Sequence, residues 1–235
     1  MLVPAQSLAD GALLDLDEAE VRHLRVRRIA AGSAVVACDG AGKSSHATIV
    51  ARGSGFAVSI GSVESFVPLP EITLAVGAGD KDRFATLAER CTELGVTRLV
   101  PLETERSQAV ENRIRAAALD RVRRRAREAC KQSGNPWATC VTEPRRLDQL
   151  QSSVATARWY LASAEGAPCP LISVSEHTGW IIGPEGGLTT AEIDYCRREL
   201  HATPVVFAPA ILRFDTAAMA AAVVVLDRRQ AQRQE

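Results

Sequence analysis

The sequence predicts an α/β protein: a mostly parallel sheet with helices on both faces, preceded by a smaller β-rich domain. Three observations carry this. From Glu71 onward, short apolar runs alternate with amphipathic stretches, the rhythm of strands and crossover helices. Residues 1–68 instead hold short apolar runs separated by Gly, Asp and Ser, the rhythm of hairpins. Between them lies Val67-Pro68-Leu69-Pro70, whose prolines make an extended spacer. The expected domains are 1–68 and 71–235.

In the first domain, Ala34–Cys38, His46–Val50 and Ala57–Ile60 are the predicted strands of a small barrel or sandwich, and a short helix is predicted from Asp17 to Leu24. Asp39-Gly40-Ala41-Gly42-Lys43-Ser44-Ser45 resembles a phosphate-binding loop. That motif needs a glycine five residues before Gly42, where Ala37 stands, and a helix after it, where a strand pattern follows. The stretch therefore reads as a hairpin turn. Arg22, Arg25, Arg27 and Arg28 cluster around His23. They form either a solvated face or a set of phosphate contacts that positions an RNA without reading its sequence.

In the second domain, Ile72–Val76 is a strand. A helix follows from Asp80 to Leu94, with Phe84, Leu87, Ala88, Cys91 and Leu94 on one face and Gly95 as its stop. Gly77-Ala78-Gly79-Asp80-Lys81-Asp82 lacks the third glycine of a dinucleotide fingerprint, since Asp82 puts an anion in its place. Thr97–Leu102 is a strand, and Arg113–Gln132 a long helix. That helix carries Arg113, Arg115, Arg121, Arg123, Arg124, Arg125, Arg127 and Lys131 against Asp120 and Glu128, on more than one face, as an electrostatic guide for phosphates would. Strands follow at Thr139–Thr142 and Arg158–Leu161.

Two stretches near the carboxyl end organise the rest. Trp180-Ile181-Ile182 is a buried strand that must stop at Pro184, which has no amide hydrogen to give a ladder. Gly186 and Gly187 permit backbone angles closed to other residues and let a ligand approach the main chain. Thr189 and Glu192 have capping-box spacing, so a helix should start at Thr189, with Ile193, Cys196 and Leu200 on its apolar face. The second stretch, Pro209-Ala210-Ile211-Leu212-Arg213-Phe214-Asp215-Thr216, links the strand Val205–Phe207 to an Ala-rich helix from about Asp215 to Arg229.

Composition sets outer limits. Lys plus Arg and Asp plus Glu number 28 each, so net charge makes no general case for nucleic acid. No segment has the apolar length of a membrane span, and Met1-Leu2-Val3-Pro4 does not open a signal peptide. The six cysteines include no C-x-x-C pair and the four histidines lack ligand spacing, so no metal site is predicted and the thiols read as reduced core residues of a cytosolic protein.

Gly183-Pro184-Glu185-Gly186-Gly187 and Ile211-Leu212-Arg213, followed by Asp215-Thr216-Ala217, together resemble the RsmE-type family of 16S rRNA uridine-N3 methyltransferases, of the SPOUT class. Thr92-Glu93-Leu94-Gly95-Val96, the loop Pro101-Leu102 to Glu105-Arg106-Ser107, and the helix end Glu128–Gly134 are similar to further parts of that family. Lys131 stands where an acid is common there. His23-Leu24, Val26, Arg28, Gly32 and Asp39-Gly40 resemble its amino-terminal PUA-like domain. The resemblance implies a trefoil-knotted domain that binds S-adenosyl-L-methionine. It also implies a cytoplasmic homodimer with the active site near the subunit interface, and 16S rRNA, in the assembled small ribosomal subunit, as partner.

On that resemblance the cofactor residues are Leu161 and Ala162, Gly183, Glu185, Gly186 and Gly187, Pro209, Ala210, Ile211 and Leu212, and Thr216. Arg213 and Asp215 are the catalytic candidates. Phe214-Asp215 replaces the family's usual Thr-Glu, so the shorter acid has a different reach. Arg22, Arg25, Arg27, Arg28, Arg106, Arg123, Arg124 and Arg127 are the RNA-binding candidates. The implied chemistry sets its own demands. Uracil N3 carries a proton, so the site needs a base or strong stabilisation of the developing anion. N3 also lies on the pairing edge, so the target must be unpaired or drawn out of the stack. Two alternatives share these motifs: a knotted methyltransferase acting on another base or on the ribose 2′-OH, and a non-catalytic rRNA-binding assembly factor.

Overall fold

The computed structural model describes all residues except 2, 4–6, 54, 78, 108–113, 115–116, 154–157 and 232–235. Its contacts divide into two units, 1–68 with 130–138, and 69–129 with 139–235.

In the first unit, apolar residues alternate along β3 (Lys43–Arg52) and bury every second side chain, as a sheet with one wet face requires. It pairs antiparallel with β2 (Ala34–Cys38) and β4 (Gly55–Ser65), and β1 (Leu13–Asp15) completes the order β1-β4-β3-β2. Where a barrel or sandwich is expected, the pairing is thus a four-stranded sheet. Met1 and Val3 add backbone hydrogen bonds to Cys38 at the β2 edge. Ala47, Ile49, Val58 and Ile60 pack with Leu24 of α1 (Glu18–Val26). Asp17 caps that helix by accepting from the Glu20 amide at 2.8 Å. The turn after β2 is the predicted hairpin. Asp39 Oδ1 accepts from the amides of Ala41 at 2.7 Å and Lys43 at 3.0 Å, and a Cβ on Gly42 would overlap the Trp137 ring. Lys131 pairs with Glu20.

The second unit is a parallel sheet in the order β11-β9-β10-β5-β6-β7, with the two-residue β8 (Arg145–Arg146) also on β6. Its strands are β5 (Ile72–Gly77), β6 (Arg98–Glu103), β7 (Cys140–Val141), β9 (Arg158–Ala167), β10 (Thr178–Ile182) and β11 (Thr203–Val205). The helices are α2 (Lys81–Glu93), α3 (Ala117–Ser133, in this unit up to Ala129), α4 (Leu150–Ser153), α5 (Thr190–Arg198) and α6 (Phe214–Ala231). Every residue of β5 and β10 is buried, the mark of central parallel strands covered on both faces. Leu74, Val76, Tyr160, Trp180 and Ile182 face α2, α3 and α6. Ala75, Leu161 and Ile181 face Cys196, Leu200 and Leu150. The Trp180 and Tyr160 rings stack at 4.6 Å.

Two expectations shift. The strand expected at Val205–Phe207 lies at Thr203–Val205, and Phe207 turns in to meet Trp180 at 5.4 Å. The long helix is described from Ala117, the residues near Arg113 lying mostly outside the described set. Of the small and apolar residues of α6, part is core, while Val223 is 50 % exposed. Ala217, Ala218, Ala221, Ala222 and Val225 are buried, and α6 lies against α2, β5 and β10. Arg229, also buried, donates to the carbonyls of Pro70 at 3.0 Å and Glu176 at 2.6 Å. Among the described residues no helix is long and apolar enough to cross a membrane.

Candidate functional site

Strand order decides where a ligand can enter. β9 lies between β10 and β11, so the chain leaves β10 and β11 on opposite sides of it. Clefts in parallel sheets open at such points, beyond the carboxyl ends of the strands. A cleft of about 260 Å³ lies there. It is walled by three segments: Leu161–Ala164, Gly183–Glu185 with Gly187 and Leu188, and Val205–Leu212 apart from Pro209.

The first wall exists because β9 lets go of its neighbours. Its register with β10 ends at Leu161, and its register with β11 jumps from Leu161 to Ala167. Residues 162–166 thus run outside both ladders. The predicted strand ended at Leu161, the point where pairing with β10 stops.

The second wall is a tight turn. The Gly187 amide donates to the Pro184 carbonyl at 2.8 Å, and Gly187 has φ +70°, a backbone that side chains disfavour. Gly186 has no such angle; its role lies in its neighbour. Arg106, a predicted RNA contact, donates through Nη1 to the Gly186 carbonyl at 2.7 Å and so also ties the loop. The predicted capping box is present: Thr189 Oγ1 accepts from the Glu192 amide at 3.3 Å, and Glu192 Oε2 accepts from the Thr189 amide at 2.8 Å. The turn also presses on the end of β5. A Cβ on Gly77 would come within 2.6 Å of both Cδ and N of Pro184, and one on Gly79 would overlap the Glu185 carboxylate. The Gly-Ala-Gly stretch, an incomplete dinucleotide fingerprint by sequence, admits this close approach.

The third wall is looser. Val206 donates to the Ala167 carbonyl at 2.9 Å, and Phe207 packs on the core. Ile211 is 92 % exposed. From Ala208 to Leu212 no hydrogen bond reaches another described residue.

The structure therefore brings Leu161, Ala162, Gly183, Glu185, Gly187, Ala210, Ile211 and Leu212 to one cleft, while Gly186, Pro209 and Thr216 do not line it. Among the lining residues that sequence reasoning missed are Ala164, Leu188, Ile193, Val206, Phe207 and Phe214. Arg213 and Asp215 stand outside the lining but flank Phe214, which belongs to it. Arg213 is exposed, and its carbonyl accepts from the Ala217 amide to open α6. Asp215 Oδ1 accepts from the Thr216 amide at 3.0 Å, a favourable place for an anion in the first turn of a helix. Burial pushes the Cys196 thiol, behind the second wall, up to about 12, so it is a neutral core group at physiological pH. Among the described residues no His, Cys, Asp and Glu group is placed to hold a metal.

The basic candidates separate into two kinds. Arg22, Arg25, Arg27 and Arg28 are exposed on and just after α1. On α3, Arg123 donates to the Val141 carbonyl at 3.0 Å and to Glu143 at 2.9 Å, while Arg121 pairs with Asp82 and Arg125 with Glu89. Arg124 and Arg127 are exposed, with no ion pair to a described residue.

A doubly covered parallel sheet with a glycine-walled cleft at its switch point defines a class of small-molecule-binding α/β domains. Residues 67–226 match the RNA methyltransferase domain and residues 16–60 the RNA methyltransferase PUA domain; the chain belongs to this RNA methyltransferase family. Among its relatives is the ribosomal RNA small subunit methyltransferase E of Synechocystis sp., 30 % identical over 203 residues, which are 82 % of this chain and 66 % of that one. The chain thus spans just under two thirds of that relative. The protein of the same description from Aquifex aeolicus is 29 % identical over 227 residues, covering 92 % of this chain and 95 % of that one. The crystal structure of the ribosomal RNA small subunit methyltransferase E from Neisseria gonorrhoeae, bound to S-adenosyl methionine, superposes with a TM-score of 0.82 at 25 % identity, over 97 % of this chain and 96 % of that one.

Proposed function

We propose that the chain is an S-adenosylmethionine-dependent methyltransferase that modifies N3 of a uridine in 16S rRNA. The observation that carries the reading is the cleft. Its walls are the segments that the family motifs single out, and a relative of the same architecture is described as bound to that cofactor. The residues fit such a group. Leu161, Ile182, Val205, Phe207 and Leu212 offer apolar surface to a purine ring, and the glycine turn and the 208–212 segment offer backbone amides and carbonyls. The bound cofactor supplies a methyl group on a sulfonium.

The chain supplies the rest. Arg213, next to the lining residues Leu212 and Phe214, puts a fixed positive charge where negative charge builds on the uracil as N3 loses its proton. Asp215 takes that proton; its Oδ1 is engaged by the Thr216 amide, and Oδ2 is the acceptor. Arg22, Arg25, Arg27 and Arg28, with Arg124 and Arg127, hold phosphates. The amino-terminal domain, 1–68, grips the RNA, and 71–235 carries the chemistry on a trefoil-knotted path. The protein works in the cytoplasm as a homodimer on the assembled small subunit; the exposure of Ile211 at 92 % and Val223 at 50 % supports a protein surface over that region.

The test is incubation with labelled S-adenosylmethionine and small ribosomal subunits lacking the modification, followed by nucleoside mass spectrometry. The expected product is 3-methyluridine in 16S rRNA. A 2′-O-methylated nucleoside, or no transfer, ends the proposal.

A further inference from the structure

Beyond β6 the chain makes one turn of 3-10 helix, Glu105–Ser107. It is fastened internally: the Thr104 amide donates to Ser107 Oγ at 2.9 Å, and Ser107 is 2 % exposed. From this fixed base two hydrogen bonds reach the glycine turn and the helix that follows it. Arg106 Nη1 donates to the Gly186 carbonyl, and the Glu105 amide donates to Glu192 Oε1, both at 2.7 Å. Glu192 Oε2 is the capping oxygen of Thr189. One carboxylate therefore joins the β6 turn to the start of α5. The Arg106 chain also covers Gly186, where a Cβ would stand 3.5 Å from its Cβ and Cδ. Gly186 is the residue of the turn that does not line the cleft, so Arg106 grips the turn from behind.

We infer that Arg106 is a positioning residue: it holds the Gly183–Gly187 turn in the shape that receives the methyl donor, and it is not a phosphate contact. This rests on the reading of the cleft as the S-adenosylmethionine site. A turn with three glycines samples many backbone states when released, and ordering it on binding lowers affinity. A guanidinium already bound to its outward carbonyl removes that ordering from the binding step.

The experiment compares the wild type with Arg106→Ala, Arg106→Lys and Glu192→Gln. Calorimetry gives S-adenosylmethionine affinity, steady-state kinetics gives kcat and KM, and a salt titration gives binding to deproteinised 16S rRNA. Arg106→Ala is expected to weaken cofactor binding about five- to tenfold, the range of one partly exposed charge-assisted hydrogen bond. KM for the cofactor should rise with kcat little changed, and the salt slope of RNA binding should stay as in the wild type. Arg106→Lys, which keeps a donor, should recover part of the loss. Cofactor affinity within about twofold of wild type, or a salt slope reduced by about one, the mark of a lost phosphate contact, overturns the inference. Should Arg106→Ala not fold, Glu192→Gln carries the test: a two- to threefold loss, about one weakened hydrogen bond, supports the inference, and unchanged affinity overturns it. Failure of the wild type itself to bind the cofactor is a different result, and it overturns the underlying reading of the cleft.

Discussion

The second and third walls of the cleft are built on opposite plans. Gly183–Thr189 is held by its own turn, by Arg106, by a reciprocal cap and by close approach to Gly77 and Gly79. Ala208–Leu212 follows a three-residue strand, carries an exposed Ile211 and has no hydrogen bond to another described residue. A site with both walls fixed admits ligand slowly, and one with neither loses affinity to ordering. One wall is thus tied from several sides, while the other rests on packing.

The sharpest way to break this contrast is through the residues just beyond the loose wall. Arg213→Ala is expected to lower methyl transfer about a hundred- to a thousandfold by removing charge stabilisation, and Asp215→Asn by a similar factor, with cofactor affinity held within about twofold. Single-turnover transfer beside calorimetry checks this. Next comes the rigid wall. Gly77→Ala drives a methyl into the Pro184 ring and backbone, and should destabilise the protein by about 1–3 kcal/mol in urea unfolding. Gly79→Ala meets first the Glu185 carboxylate, which can swing aside, so its effect should be smaller.

A direct measure of the contrast is amide hydrogen exchange. Residues 208–212 should exchange within seconds to minutes in the free protein and slow when S-adenosylmethionine is added, while Gly187 and the start of α5 stay protected in both states. Equal protection of the two walls in the free protein would remove the distinction.

A last expectation tests whether the loose wall is local or a symptom of a loose core. Burial raises the thiols of Cys38, Cys91, Cys169 and Cys196 above the ordinary value of 9.0, Cys196 to about 12. A folded pKa above the unfolded one gives stability that is complete below the unfolded value and declines as pH rises from there toward the folded one. Unfolding free energy should therefore hold steady with respect to these groups up to about pH 8 and fall above about pH 9. A flat profile from pH 9 to 11 would mean that these thiols are open to water.

Where local chemistry decides, the sequence was readable. The Thr189–Glu192 cap, the Gly95 stop and the Asp39–Lys43 hairpin each follow from residues within one turn of each other. Much of the cleft lining was also legible, because its loops carry family motifs. The ties that shape those loops were not. Arg106 and Gly186 stand 80 residues apart, and Glu105 and Glu192 stand 87 apart, so no window of sequence joins them. The arginines of α3 read alike along the chain, and only the fold gives Arg121, Arg123 and Arg125 their carboxylates and leaves Arg124 and Arg127 outward. Likewise the jump of register in β9 depends on Val205, a strand that propensity put two residues too far along.

Arg229 clasps the carbonyl of Pro70, 159 residues earlier, and the helix that carries it seals the middle of the sheet. Until that helix has been synthesised, the face it shares with α2 and α3 is only partly covered. A chain interrupted before α6 therefore offers partly bare strands to aggregation.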